Sequence, residues 1–293
     1  MPRRCVAGTI VPVDVDTAPV APTSTPVTGF AFLDAVLDHP DSVIAMAHRG
    51  GATHPDLVGL ENTTEAFRHA VGLGYRYLET DVHASRDGVL FAFHDPVLDR
   101  VTDQVGPIAE LTAARIATAR IRGVHAVPTL AELFEEFPEA RFNIDLKAES
   151  AVHPLVALLD RFEARDRVCV GSFSPSRMHL FRTLTRGTVA TSATPGEVAL
   201  VKASPSAVAV RAALGSHGPV ALQVPHRRGR FVLVTPALVR RAHRAGLQVH
   251  VWTVDRPEEM HHLLDLGVDG LITDRTDLLR DVLVARGQWR DHA

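Results

Sequence analysis

The sequence predicts an α/β protein that folds as a (β/α)8 barrel. Apolar stretches of strand length alternate with stretches of helical spacing from residue 42 to residue 285. Such alternation is typical of a parallel sheet, and nearly continuous apolar strands are expected where both faces of the sheet are covered. About eight strands can be counted, which favours a closed barrel over an open doubly wound sheet. No Gly-x-Gly-x-x-Gly segment follows any of them to indicate dinucleotide binding.

The predicted elements follow one another in regular order. Strands are predicted at 42–47, 76–83, 89–93, 141–146, 168–173, 188–192, 219–224, 247–254 and 268–273. Helices are predicted at 30–37, 61–71, 110–119, 130–137, 151–164, 235–245, 256–266 and 276–285. A further helix is predicted to begin at residue 175, and a helix-like segment follows the strand at 188–192 and runs to residue 214. The strands at 76–83 and 89–93 are joined by an Asp-Gly turn, so they form either a hairpin or two barrel strands with a very short link.

The length of 293 residues suits one large domain. We expect a flexible N-terminal tail at 1–28, a single barrel domain at 29–293 and a reduced insertion at 98–127. Pro12 and Asp14 interrupt the apolar run after Arg3 and Arg4, which argues against a signal peptide. No stretch reaches the ~18 apolar residues of a membrane span. A cytoplasmic location is therefore expected.

Charge and cysteine content exclude several classes of function. The net charge of −3 and the lack of a single-sign charge block give no reason to expect nucleic acid or an anionic membrane as a partner. The two cysteines, Cys5 and Cys169, build no disulfide framework and match no metal-ligand spacing. Cys169 is expected to be a buried, inert thiol. A small-molecule substrate remains the expected partner.

Chemically useful side chains lie at the ends of almost all predicted strands, where barrel enzymes place their sites. They are His48, Arg49, Glu79, Asp81, His94, Asp145, Lys147, Ser172, Gln223, Trp252 and Asp274. Glu79 and Asp81 are two positions apart on a strand and leave it on one face. Together with Asp145 they offer the oxygen ligands that Mg²⁺, Ca²⁺ or Mn²⁺ prefers. Alternatively, the two aspartates cap loops and Glu79 pairs with an arginine.

The cations and histidines of this set indicate an anionic substrate. Only two of the 31 basic residues are lysines, so Lys147 at a strand end stands out. Its compact ammonium group and the planar fork of Arg49 both suit a phosphate. His48 and His94 are candidates for general base and general acid. Two aromatic residues, Phe173 and Trp252, either close the barrel mouth or line a substrate wall, and surface positions are expected for the histidines at 217, 226, 243, 261 and 262.

The ordered set of motifs from about residue 43 onward resembles the glycerophosphodiester phosphodiesterases. The motifs are Ala47-His48-Arg49-Gly50-Gly51, Glu61-Asn62-Thr63, Tyr77-Leu78-Glu79-Thr80-Asp81-Val82, His94-Asp95-Pro96, Leu98-Asp99-Arg100-Val101-Thr102-Asp103, Val127-Pro128-Thr129-Leu130, Asn143-Ile144-Asp145-Leu146-Lys147, Ser172-Phe173, Trp252-Thr253-Val254 and Thr273-Asp274. Each motif is weak by itself, and their order makes the resemblance specific.

The resemblance implies a barrel of the phospholipase C-like phosphodiesterase type with one divalent cation. It implies acid/base roles for the two histidines His48 and His94. It assigns the metal to Glu79, Asp81 and Asp145, the phosphate to Arg49 and Lys147, and a place in the lining to Glu61 and Asn62. We add Phe173, Gln223 and Trp252 as substrate contacts. The family more often has Glu at the position of Asp145, so this shorter side chain is expected to reach the metal directly or through water.

Three functions remain open at this point. The first is metal-dependent hydrolysis of glycerophosphodiesters to sn-glycerol 3-phosphate and an alcohol, with two-histidine acid/base catalysis. The second keeps the chemistry but acts on a lipid-like substrate, as a lysophospholipase D does. The third is a non-catalytic barrel that binds a phosphate ligand. Neither the oligomeric state nor the identity of the metal follows from the sequence.

Overall fold

The computed structural model of the chain describes residues 24–35, 37 and 42–289, so most of the predicted tail at 1–28 lies outside the described residues. Its strands are β1 Ile44–His48, β2 Tyr77–Ala84, β3 Leu90–Ala92, β4 Arg120–Ile121, β5 His125–Ala126, β6 Arg141–Leu146, β7 Val168–Gly171, β8 Ala190–Thr191, β9 Ala221–Pro225, β10 Arg227–Arg228, β11 Phe231–Val232, β12 Gln248–Trp252 and β13 Gly270–Thr273. Its α-helices are α1 Ala31–Asp34, α2 Thr64–Gly72, α3 Ala113–Ile116, α4 Leu130–Glu136, α5 Val152–Arg161, α6 Pro175–Thr185, α7 Pro195–Ala203, α8 Ala207–Leu214, α9 Pro236–Arg244, α10 Pro257–Asp265 and α11 Thr276–Ala285.

Eight parallel strands form a nearly closed barrel. Their order is β8, β7, β6, β2, β1, β13, β12, β9, and each neighbouring pair is parallel. The two ends of this order approach each other, because Ser192 forms a parallel bridge with Ala221 just beyond β8. The predicted (β/α)8 barrel is confirmed.

The strand pair at 76–93 is a hairpin that stands partly outside the barrel. β3 pairs antiparallel with β2 and with no other barrel strand. The pairing of β1 with β2 ends at His48 and Glu79, while β2 continues to Ala84. Val82 pairs with Leu146 of β6 on one edge and with Ala92 of β3 on the other, so β3 occupies the edge of β2 that β1 has left. Of the two alternatives left open by the sequence, the hairpin is therefore the one observed.

Two of the hydrophobic cores belong to the barrel itself. One lies between the strands and the helices and includes Leu78, Val249 and Leu271. The other fills the barrel interior and includes Met46 and Tyr77. Cys169 belongs to the interior core, where burial raises the pKa of its thiol to about 12, as expected for an inert residue.

Helix α1 closes the N-terminal end of the barrel. Phe32 and Leu33 are fully buried against the interior core, and the Tyr77 hydroxyl donates to the carbonyl oxygen of Phe32 at 2.8 Å. The Phe32 and Tyr77 rings meet edge to face with centroids 5.1 Å apart. The C-terminal end of the barrel is consequently the end at which a site can open.

A third core lies under the segment at 98–127. Its largest buried members are Phe91, Phe93, Leu98, Ile108, Ile116 and Ile121. The single helix predicted at 110–119 is reduced to the four-residue α3, followed by the short β4–β5 hairpin. Among the described residues, no helix combines the length and apolar character needed to cross a membrane.

Candidate active site

Strand register places the candidate residues at one level of the barrel. His48 at the end of β1 is paired with Glu79 on β2, and Asp81 on β2 is paired with Asp145 on β6. Residues two apart on a strand face the same side, so Glu79 and Asp81 both point into the C-terminal end of the interior. Lys147 directly follows β6 and lies beside them.

Asp81 lies at the centre of a charged network. Its side chain is almost completely buried, and its Oδ1 lies 2.7 Å from Lys147 Nζ while its Oδ2 lies 3.1 Å from Arg49 Nε. Burial alone would raise the pKa of Asp81, but the charges of Lys147 and Arg49 outweigh it and lower this pKa. Asn62 supports the same carboxylate by donating from Nδ2 at 3.2 Å. The carboxylate is therefore ionised at neutral pH.

Glu79 is the least compensated carboxylate of the site. Burial raises its pKa to about 7 against the opposing charge of His48. Its Oε2 accepts from the backbone N–H of Arg49 at 3.2 Å and lies 3.8 Å from His48 Nε2. A further positive charge near Glu79 would favour its ionised form.

The donor set fits a hard divalent cation in its chemistry. Glu79, Asp81 and Asp145 all offer carboxylate oxygens in a buried setting, and Asp145 Oδ1 is buried without a hydrogen-bond partner. The other Asp145 oxygen lies 2.6 Å from Lys147 Nζ, which also contacts Asp81. Burial raises the pKa of Asp145 despite this ammonium group.

A second set of possible metal ligands has its atoms closer together than the three carboxylates do. Within the described ranges, the His54, Asp56 and His69 side chains are the set whose ligand atoms lie within 4.8 Å of one another. This set is on the β1–α2 loop and α2, outside the strand ends. His54 Nδ1 there accepts from the backbone N–H of Asp56, and the Asp56 side chain is 78% exposed, as in an ordinary helix cap. The metal assignment to Glu79, Asp81 and Asp145 therefore stays a prediction.

A carboxylate supports the ring of His48. Asp274 Oδ1 lies 2.7 Å from His48 Nδ1, which leaves Nε2 directed toward the site. Burial would lower the pKa of His48, but the charge of Glu79 and the hydrogen bond to Asp274 raise it. Asp255 in turn accepts from the backbone N–H of Asp274 at 2.8 Å. This arrangement fixes the orientation of the imidazole.

A second carboxylate supports His94. Asp95 Oδ1 lies 2.6 Å from His94 Nδ1, and Arg100 contacts both Asp95 and Glu61. The hydrogen bond from Arg100 lowers the pKa of Asp95 to about 2. Glu61 also lies 3.3 Å from Arg49 Nη1. A chain of ion pairs thus connects His94, on the segment after β3, to the barrel.

The structure brings most of the predicted residues together but gives some of them other partners. Gln223 donates to Asn143 at 2.8 Å and lies beside His250. Ser172 donates to the carbonyl oxygen of Leu146 and so supports a strand end. Phe173 and Trp252 pack edge to face with centroids 6.0 Å apart, and Phe173 is 61% exposed. These two rings form an apolar rim at the barrel mouth.

Sequence reasoning predicts a supporting role for Asp95, which directly follows His94, but it missed Arg100 and Asp255. Arg100 contacts Glu61 and Asp255 contacts Asp274, and each of these contacts joins segments far apart in sequence. The expected surface position was wrong for two histidines. His226 and His243 are buried and lie 2.5 Å and 2.8 Å from Glu259 and Asp269, respectively.

Comparison with known proteins identifies the family. The model of the glycerophosphoryl diester phosphodiesterase family matches residues 48–278, which is more than half of the chain. The chain belongs to this family. Its members include the Mycobacterium tuberculosis protein named probable glycerophosphodiester phosphodiesterase 2, which is 42% identical over 247 residues and covers 84% of this chain and 92% of that protein. This chain is therefore a phosphoric diester hydrolase with glycerophosphodiester phosphodiesterase activity.

A curated lysophospholipase D and a solved phosphodiesterase structure are also similar to this chain. A human lysophospholipase D is 27% identical over 282 residues, covering 81% of this chain and 85% of its own. The structure of an Oleispira antarctica phosphodiesterase in complex with the product sn-glycerol-3-phosphate has a TM-score of 0.68 and 22% identity. It covers 82% of this chain and 96% of that one, which supports the shared barrel fold.

Proposed function

We propose that the protein hydrolyses glycerophosphodiesters to sn-glycerol 3-phosphate and an alcohol with the help of a divalent cation and two histidines. The observation that carries the proposal is the pair of carboxylate-supported imidazoles, His48 with Asp274 and His94 with Asp95. Each ring has one nitrogen held by a carboxylate and the other available for proton transfer. The cations Arg49 and Lys147 lie in the same charged network.

Each group of residues has a separate role in the proposed reaction. Arg49 and Lys147 bind and orient the phosphodiester, and their charges compensate the charge that develops on its oxygens. One histidine takes the proton of the nucleophile, which is water or the hydroxyl of the substrate's own glycerol. The other histidine gives a proton to the leaving alkoxide. The supporting aspartates hold each imidazole in the orientation that these transfers require.

The metal site belongs to the proposal as well. Glu79, Asp81 and Asp145 would hold Mg²⁺, Ca²⁺ or Mn²⁺, and the buried, unpartnered oxygen of Asp145 supports this assignment. When bound, the ion supplies a Lewis acid for the phosphate oxygens. A chelator is expected to abolish turnover, and one of these three ions is expected to restore it. Full activity in the presence of the chelator would contradict the metal dependence.

A lysophospholipase D function is the second candidate. The exposed ring of Phe173 against Trp252 gives the mouth an apolar rim, and the human relative carries that name. Glycerophosphocholine and lysophosphatidylcholine, tested side by side, separate the two. A higher kcat/KM for the lysophospholipid would favour the second function. The cytoplasmic location and the lack of a nucleic-acid partner stay predictions.

The acid/base roles are tested with His48→Ala and His94→Ala. Each substitution is expected to lower kcat by about a hundredfold or more, because proton transfer by a positioned group contributes that much. The affinity for glycerol 3-phosphate should change little, which calorimetry can measure. His153→Ala, on the exposed face of α5, is the matched control. Near-normal turnover in either active-site variant would contradict the assignment, and a non-catalytic barrel would show binding without turnover in the wild type.

A further inference from the structure

A short arginine-rich hairpin stands beside the barrel mouth. β10 and β11 pair antiparallel within the connection between β9 and α9, so they lie at the C-terminal end of the barrel. Arg227, Arg228 and Arg230 are exposed, and none of them has a carboxylate within ion-pair distance among the described residues. Phe231 at the same hairpin is 62% exposed, with the Arg230 guanidinium over its ring at 5.1 Å.

The base of the hairpin is anchored. The carbonyl oxygen of His226 accepts from the backbone N–H of Leu233 at 2.9 Å, and the buried His226 ring lies 2.5 Å from Glu259 at the start of α10. The hairpin therefore presents its arginines and its aromatic ring from a fixed base. Phe173, at the end of β7, adds a second exposed aromatic ring at the same end of the barrel.

We propose that this hairpin docks the protein on an anionic phospholipid surface, with the barrel mouth facing that surface. The whole chain has a net charge of −3, so the local positive charge is not a consequence of its overall composition. Arginines near an anionic leaflet each contribute about a fivefold gain in affinity, and aromatic rings are enriched at the membrane–water interface. Docking does not depend on the reaction that the site performs.

The combination of groups favours a lipid surface over other anionic partners. A nucleic acid would need a longer basic track that follows several phosphates, whereas the unpaired arginines lie within four consecutive positions. An acidic peptide would satisfy the arginines but would leave Phe231 and Val232 without an apolar partner. An interface of anionic headgroups above acyl chains suits both the charges and the exposed apolar side chains.

Vesicle sedimentation without substrate tests the proposal. The full-length protein should bind mixed phosphatidylcholine/phosphatidylglycerol vesicles, bind pure phosphatidylcholine vesicles more weakly, and lose affinity as the salt concentration rises. The triple variant Arg227→Gln/Arg228→Gln/Arg230→Gln should bind the anionic vesicles about a hundredfold more weakly. Phe231→Ser should weaken binding with little change in the salt dependence.

A matched control removes the same charge from the opposite end. Arg161, Arg186 and Arg244 are exposed at or just after the C-terminal ends of α5, α6 and α9, which lie at the N-terminal end of the barrel. Their triple Gln variant should bind vesicles as the wild type does. Equal losses in the two triple variants, or no preference for anionic vesicles, would overturn the proposal. The proposal would also be overturned if the protein bound an oligonucleotide more tightly than the vesicles and the hairpin substitutions abolished that binding. Because binding is measured without turnover, failure here is distinct from failure of the catalytic proposal.

Discussion

At the scale of single residues, the site consists of buried charges that compensate one another. Asp81 is almost fully buried and remains ionised because Lys147 and Arg49 lie beside it. Removing one partner of such a group leaves an uncompensated buried charge, which costs more than the pair itself contributes. Each histidine of the site likewise depends on a carboxylate behind its ring. The supporting residues should therefore matter for function without contacting the substrate.

Asp274→Asn tests the support of His48. The amide can offer an N–H where the carboxylate accepted one, so the imidazole is expected to adopt the wrong tautomer. We expect kcat to fall by about a hundredfold with little change in KM, since the side chain acts through His48. Steady-state kinetics measures both parameters. Asp281→Asn, an exposed position on α11, should leave both unchanged. A rise in KM at constant kcat would show that Asp274 acts on substrate binding instead.

His250 provides a separate test in the barrel interior. Burial lowers its pKa to about 4, and its ring lies between Gln223 and Gln248. Between pH 6.5 and 4 the unfolded state therefore binds a proton that the native state does not, and stability falls as the pH falls through this window. Across this pH window the burial of neutral His250 lowers the free energy of unfolding by about 3 kcal/mol. Urea unfolding should show a weaker pH dependence in His250→Gln than in the wild type. An unchanged dependence in the variant would contradict this assignment.

At the scale of elements, the backbone conformation of the β1–α2 connection positions two residues of the candidate site. Arg49 and Asn62 both have left-handed conformations, with φ of 51° and 59°. Non-glycine residues in this region are strained, and such strain concentrates at functional sites. Gly50 follows with φ of 86°, and a Cβ atom there would lie 2.6 Å from the Ala66 Cβ on α2. The loop therefore packs its backbone directly against the helix.

Gly50→Ala should destabilise the fold. The added methyl group meets both a close contact with Ala66 and an unfavourable backbone conformation, so the free energy of unfolding is expected to fall by about 2 kcal/mol or more. Gly72→Ala is the matched control, because Gly72 ends α2 and a Cβ atom there would meet nothing within 4 Å. Urea unfolding compares the two. Equal stability of both variants would show that the loop can move away from α2.

At the scale of the whole molecule, the barrel is closed at one end and carries the candidate site at the other. Helix α1 closes the N-terminal end with Phe32, while charged residues and the aromatic rim occupy the C-terminal end. If the proposed function is correct, stability and catalysis are separated along the barrel axis. Substitutions at the closed end should change stability without changing the kinetics.

Phe32→Ala tests this separation. The truncated ring leaves a cavity in the interior core, and the loss of unfolding free energy is expected to be about 3 to 5 kcal/mol. KM and kcat, measured where the variant remains folded, should match the wild type. Phe231→Ala serves as the control for stability, because that ring is exposed. A large change in KM for Phe32→Ala would mean that the two ends of the barrel are coupled.

The barrel, and the position of most candidate site residues at one end of it, could be predicted from the sequence because they depend on local patterns. Strand periodicity gave the alternation of elements, and polar residues such as His48 and Asp81 stood at the strand ends. The pairing of the strands at 76–93 could not be decided, since both alternatives share one hydrophobic pattern. Contacts such as that of Arg100 with Glu61 could not be predicted either, because they join loops whose relative position only the fold defines.

The local charge of the β10–β11 hairpin shows a different limit of sequence reasoning. Net charge gave no reason to expect nucleic acid or an anionic membrane as a partner, although Arg227, Arg228 and Arg230 stand almost consecutively in the sequence. What the composition could not show is that these arginines lack carboxylate partners among the described residues. Arg68, by contrast, is exposed and paired with Glu136. The distribution of charge over the folded surface therefore decides the expected partner.

The small core under the segment at 98–127 has a consequence for the motions of the enzyme. His48 is anchored in the barrel, whereas His94 directly follows Phe93, a member of that separate core. Regions with their own core can open locally while the remainder stays folded. Such an opening would remove one histidine of the pair and leave the barrel intact. The protein is then expected to lose activity on mild heating before its barrel unfolds, and hydrogen exchange should locate the first loss of protection at residues 91–127.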